Sequence, residues 1–148
     1  MSGNDILQIV MAGLGSISFA LIFGLRDSKL VTIGFGGALS WFIFLFGKGN
    51  GATLPGLFWA VAAAAAIAEI EARRRKTPVL VMEVPLLIPL IPGGDLYRMM
   101  DSVMQHGISA SMDHIVWLVQ EVFIIAAGII LVSTVASAYV KIRRMGEH

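Results

Sequence analysis

The chain has 148 residues, 57% of them hydrophobic and only 14% charged, against about 25% charged in an average soluble domain. That balance excludes an ordinary water-soluble fold and implies one membrane-embedded unit over residues 1–148, an all-α polytopic protein. A formal charge of +1 and the absence of cysteine leave no basis for a nucleic-acid partner, a disulfide framework or a cysteine-ligated metal.

Uncharged apolar runs cover 6–25, 30–47 and 49–68, then a broken fourth run at 77–94, then 115–140 with Glu121 as its one interruption. A membrane-spanning helix needs about 20 residues, so about five spans are predicted. Asn4 and Asp5 precede the first run, with neither a basic leader nor an Ala-x-Ala type cleavage site, so it reads as a retained helix rather than a signal peptide. Ala12, Ser16, Ala20 and Gly24 recur every four residues on it, Gly36 and Ser40 do so on the second, and Ala62 to Ala66 narrow the third. Small residues at such spacing let helices approach closely in lipid, within the chain or against a partner, a second copy included. Trp41, Trp59, Trp117 and Tyr139 lie near run ends, where interfacial aromatics are common.

The basic residues divide unevenly between the loops. Arg26, Lys29, Arg73, Arg74, Arg75, Lys76, Lys141, Arg143 and Arg144 fall on one set of alternate loops, and Lys48 and Arg98 on the other. The positive-inside tendency then predicts an inner or plasma membrane protein with its N-terminus outside and its C-terminus in the cytoplasm. The cluster Arg73 to Lys76 is read as a topology signal, and the fourth run has to cross.

That fourth run is an unusual span. Pro85, Pro89 and Pro92, with Gly93 and Gly94, interrupt it, and each proline removes a backbone donor. As continuous helix, residues 78–92 reach about 22 Å, short of a hydrocarbon core of about 30 Å. A few unwound residues between Pro85 and Pro92 are predicted to close the gap. Unwound backbone at membrane depth is tolerated only where protein or a water-filled cavity surrounds it, as in transporters with discontinuous helices. A proline-kinked structural helix is the alternative.

Glu83 lies inside the same run. An isolated carboxylate in lipid costs at least ~2.5 kcal/mol, so it is predicted to face a partner, a cavity or a proton. It reads either as a proton or substrate relay or as an interfacial residue paired with Arg73 to Lys76. After the glycines, Leu96, Met99, Met100 and Val103 repeat at helical spacing and Gly107 follows, which predicts a short amphipathic helix on the outer face. Asp95 stands where an N-cap is expected. Gly93 and Gly94 ahead of that helix offer a competing reading as an anion cradle. Glu121 is predicted in the outer third of the last helix, sharing its face with Gly128 and Val135. Glu69 and Glu71, bordering the basic cluster, read as solvated interface residues.

The segment 68–100, AEIEARRRKTPVLVMEVPLLIPLIPGGDLYRMM, resembles the C-terminal-type membrane domain of the threonine/serine exporter family. That family includes small stand-alone subunits similar to the one in the bacterial succinate exporter. The likeness rests on a basic turn, then Pro89-Leu90-Ile91-Pro92-Gly93, then Tyr97. The resemblance implies a companion membrane subunit carrying the other half.

Two classes of function remain. One is a subunit of a secondary transporter exporting small amino acids, threonine or serine, or small carboxylates. Its pathway candidates are Glu83, Pro85, Pro89, Pro92, Gly93, Gly94, Asp95 and Glu121. The other is a non-transporting membrane scaffold or assembly partner. An enzyme is disfavoured, because no nucleophile and base stand together and His106, His114 and His148 lack metal-ligand spacing. No cofactor is implied.

Overall fold

The computed structural model describes residues 3–26 and 28–145, with side chains described as far as residue 142. The expectations for His148 and for the side chains of Arg143 and Arg144 lie outside these. The protein is 90% helical, with no strand among the described residues. Its helices are α1 (Gly3–Ile22), α2 (Ser28–Gly49), α3 (Thr53–Arg75), α4 (Val79–Leu87), α5 (Gly93–His106) and α6 (Met112–Met145). Short 3-10 turns at Ile88–Leu90 and Ser109–Ser111 lead into α5 and α6. α1, α2, α3 and α6 are each long and apolar enough to cross a membrane, and 79–90 with 93–106 makes a bent pair with an angle of 54°.

The turns between the long helices share one device. After α1, Gly24 takes φ +73° while the Leu25 N–H reaches back to the Ala20 carbonyl at 3.0 Å. After α2, Gly51 takes φ +74° and the Ala52 N–H bonds the Gly47 carbonyl at 2.9 Å. After α3, Lys76 adopts φ 52° and the Thr77 N–H reaches the Ala72 carbonyl at 3.0 Å. A left-handed residue followed by such a long return bond consumes carbonyls that a helix end would otherwise leave unpaired. Gly24 is therefore a helix stop and not a packing position. The buried stripe of α1 is Gly13, Ser16 and Ala20.

Packing centres on α3. Ala60, Val61, Ala64, Ala65 and Ala68 are fully buried, and α2, α4 and α6 all lie against this helix. Small side chains bring the backbones together, which is how helices gain contact energy in lipid without a hydrophobic drive between them. At the α2–α3 crossing, a Cβ on Gly56 would stand 2.8 Å from the Gly47 Cα, so only glycine fits there. On α6, a Cβ at Gly128 would meet Val61 Cγ1 at 2.9 Å.

α3 and α6 run parallel. Gly128 faces Phe58 and Val61, while Val135, Ala136 and Tyr139 share a groove with Glu69, Ile70 and Arg73 farther along. The intervening segment therefore carries the chain from one end of the bundle to the other. One end of the bundle gathers the basic residues: the Arg75 guanidinium donates to Ser28 Oγ beside the α1–α2 turn, and Arg73 borders the groove with Tyr139. Lys48 and Arg98 lie at the other end.

The broken segment differs from its expected form. α4 runs through Pro85 without unwinding and continues as a 3-10 turn to Leu90. Only Ile91 is extended, at φ −66° and ψ 126°. Pro92, at φ −76° and ψ 53°, closes an inverse γ-turn in which the Gly93 N–H donates to the Ile91 carbonyl at 2.7 Å. Pro85 tolerates the helix because its ring demands helical φ. The break forms where Pro89 and Pro92 fall close together and the last carbonyls of the helix lose their donors.

Candidate functional site

Around this turn lies a cavity of about 200 Å³ drawn from five helices. α2 contributes Trp41, Phe44, Leu45 and Lys48, which share one helical face by their spacing. Gln8 comes from α1, Leu57 from α3, Pro89 through Pro92 from the turn, Gly94, Asp95 and Arg98 from α5, and Glu121 from α6. The lining mixes apolar side chains with the polar groups of Gln8, Lys48, Asp95, Arg98 and Glu121, and convergent polar groups in an apolar setting are what a small-ligand site uses for orientation.

Glu121 is 4% exposed. Its Oε1 accepts a hydrogen bond from Trp117 Nε1 at 3.1 Å, one helical turn earlier, and its Oε2 is buried without a partner among the described residues. Trp41 Nε1 is a buried donor in the same condition. Trp41 thus departs from the interfacial expectation: it packs inward against Phe44, with ring centroids 5.1 Å apart. Buried polar atoms are nearly always paired, so an unpaired donor and an unpaired acceptor on two residues of one cavity lining set this region apart.

Asp95 is not an N-cap. Pro92 holds the cap position with no side-chain bond, and Asp95 sits in the first turn of α5, paired with Arg98 Nη2 at 2.9 Å. A proline in that place fixes φ for helix entry, and a carboxylate in the first turn still meets the positive end of the helix dipole. Gly93 lies at the helix start outside the cavity lining, and Gly94 is part of it. α5 is amphipathic as expected, but none of its residues is buried, and Leu96, Tyr97, Met100 and Met104 stay exposed.

Glu83 and Pro85 lie elsewhere, deeper in the bundle on α4. Glu83 is 5% exposed and its Oε1 has no partner among the described residues. The basic cluster does not reach it. Arg73 instead grips Glu69 Oε2 through Nε at 3.1 Å and Nη2 at 2.9 Å, and Arg75 grips Glu71 at 2.7 Å. Glu69 also departs from expectation, because it is buried at 7% exposure rather than solvated.

The structure thus unites Pro89, Pro92, Gly94, Asp95 and Glu121 and leaves Glu83 and Pro85 apart. Trp41, Lys48 and Gln8 are cavity residues that sequence reasoning passed over. The signal was there: Trp41, Phe44, Leu45 and Lys48 stand at i, i+3, i+4 and i+7, one stripe ending on a lone cation. Val135, fourteen residues beyond Glu121, is exposed and lines the groove between α3 and α6. Among the described residues no three His, Asp or Glu side chains gather as a metal site.

The family model for the threonine/serine exporter, ThrE, matches residues 8–135. The chain belongs to this family. The matched stretch takes in every residue of the cavity and the whole broken segment. Comparison with curated proteins and with solved structures returns no match. The family and the apolar helices make this a membrane protein of the threonine/serine exporter type.

Proposed function

We propose that this chain is one membrane subunit of a secondary transporter that exports small amino acids such as threonine and serine, or small carboxylates, together with a companion subunit of the same family. The observation that carries the reading is the cavity at the Pro89–Pro92 break, where buried Glu121 keeps an oxygen unpaired. Non-helical backbone is tolerated inside a membrane when it borders such a space. The parallel course of α3 and α6 supports the proposed topology, with the N-terminus outside, the C-terminus in the cytoplasm of a plasma or inner membrane, and the basic end of the bundle inward.

Efflux of labelled threonine from cells expressing the chain with and without a candidate companion tests the assignment. Export is expected only with both, and no export from the pair under any gradient overturns it. Topology is tested separately in the native cysteine-free chain. Cysteines placed at Ser2 and at Glu147 should react with an impermeant reagent from opposite sides, and labelling from one side rules out the five-crossing course.

A further inference from the structure

We propose that Trp41 Nε1 and Glu121 Oε2 are the specificity pair of the cavity, Glu121 receiving the ammonium of a small zwitterion and Trp41 donating to its carboxylate. This rests on the exporter reading and assigns its recognition to two residues. Both residues line the same space of about 200 Å³, and each carries, just behind that lining, a buried polar atom without a partner among the described residues. Trp117 holds Glu121 Oε1 at 3.1 Å, and the second oxygen, closed off in the empty protein, is the one that a turn of the carboxylate would bring to a ligand. The charged side chains around the space are Lys48, Asp95 and Arg98. Arg98 and Asp95 satisfy each other at 2.9 Å, and Lys48 is a further cation on the lining that can balance a ligand carboxylate. A dicarboxylate would set one of its negative groups against Glu121, whereas a zwitterion places one charge of each sign where the cavity has its complement.

The test uses membranes in which the wild-type chain and its companion export L-threonine, and reads the half-saturating threonine concentration. Two competitors divide the ligand. 1-Amino-2-propanol keeps the ammonium and lacks the carboxylate, and 3-hydroxybutyrate keeps the carboxylate and lacks the ammonium. Glu121→Gln is expected to raise the threonine requirement by about tenfold or more, the loss of a charge-assisted bond, while competition by 3-hydroxybutyrate stays as in wild type. Trp41→Phe keeps the ring and removes the donor. It is expected to weaken threonine and 3-hydroxybutyrate alike by about threefold to tenfold and to leave 1-amino-2-propanol unchanged. Wild-type threonine affinity in either variant at equal abundance overturns the proposal, as does equal loss of both competitors in Glu121→Gln. Should Glu121→Gln fail to accumulate, Leu45→Cys decides. L-threonine should slow its alkylation at least threefold, and no slowing overturns the pair. A wild-type pair of subunits that moves no threonine removes the exporter reading itself, a result separate from any variant.

Discussion

Glu83 and Glu121 are residues of one type, equally buried at 5% and 4% exposure, each with an oxygen that finds no partner among the described residues. Their surroundings differ. Glu121 has one oxygen held by Trp117 and opens on a space that other helices line with polar groups. Glu83 lies in the packed bundle, beside the buried Met82 and Leu86, and lines none of the cavity. Burial alone therefore says that a carboxylate is expensive, and the space around it says what can repay that. A division of work in the transporter is proposed on that contrast, with Glu121 setting how tightly substrate binds and Glu83 whether the cycle turns over.

The turn that separates them is where the largest effect is expected. Pro89→Ala with Pro92→Ala restores two backbone donors and frees φ at both positions, so α4 can continue past Leu90 into the cavity. The double variant should insert and accumulate normally while export of threonine falls to about a tenth or less. Unchanged efflux at equal abundance would make the segment a structural kink and dissolve the contrast built upon it.

Glu83→Gln comes next in size and addresses the division directly. The amide keeps the shape and cannot carry a proton through the cycle. Net proton-driven export should drop about tenfold while threonine exchange persists and the half-saturating concentration stays as in wild type. Loss of exchange and of affinity together would place Glu83 on the substrate and erase the difference from Glu121. Normal rates in both assays, in a stably inserted protein, would make it a tolerated core carboxyl.

How far the site was legible follows from what each feature depends on. The spans and the division of charge are local or additive properties, and they can be read because lipid forces every apolar run into a helix. A break within the predicted stretch from Pro85 to Pro92 is present, narrowed to Ile91 and Pro92 with Gly93 and Gly94 already helical, because proline acts on its own backbone. Its extent was overstated at Pro85, where a helix already under way on both sides tolerates the ring. Burial of Glu69, and which elements would close over the Trp41 stripe, could not be read that way. Both depend on which face of α2 and α3 meets a neighbour, and that choice is made by contacts such as Gly47 with Gly56 far from either residue.

The smallest effect is expected at Asp95, a third carboxylate that borders the same cavity as Glu121 and differs in having a partner. Arg98 meets it at 2.9 Å, with their side chains 67% and 35% exposed for Arg98 and Asp95. Exposed pairs of this kind contribute well under about 1 kcal/mol, and a carboxylate already neutralised by a guanidinium has little left to offer an ammonium. Asp95→Asn keeps a side-chain acceptor for Arg98 and removes the charge. It should shift the thermal midpoint of the purified protein by no more than a degree or two and raise the half-saturating threonine concentration less than twofold. A loss approaching that of Glu121→Gln would mean that Asp95 releases Arg98 when substrate arrives and takes the ammonium itself. The unpaired oxygen of Glu121 would then be satisfied by something other than the exported molecule, and pairing in the empty site would cease to separate the carboxylates that act from those that merely stand nearby.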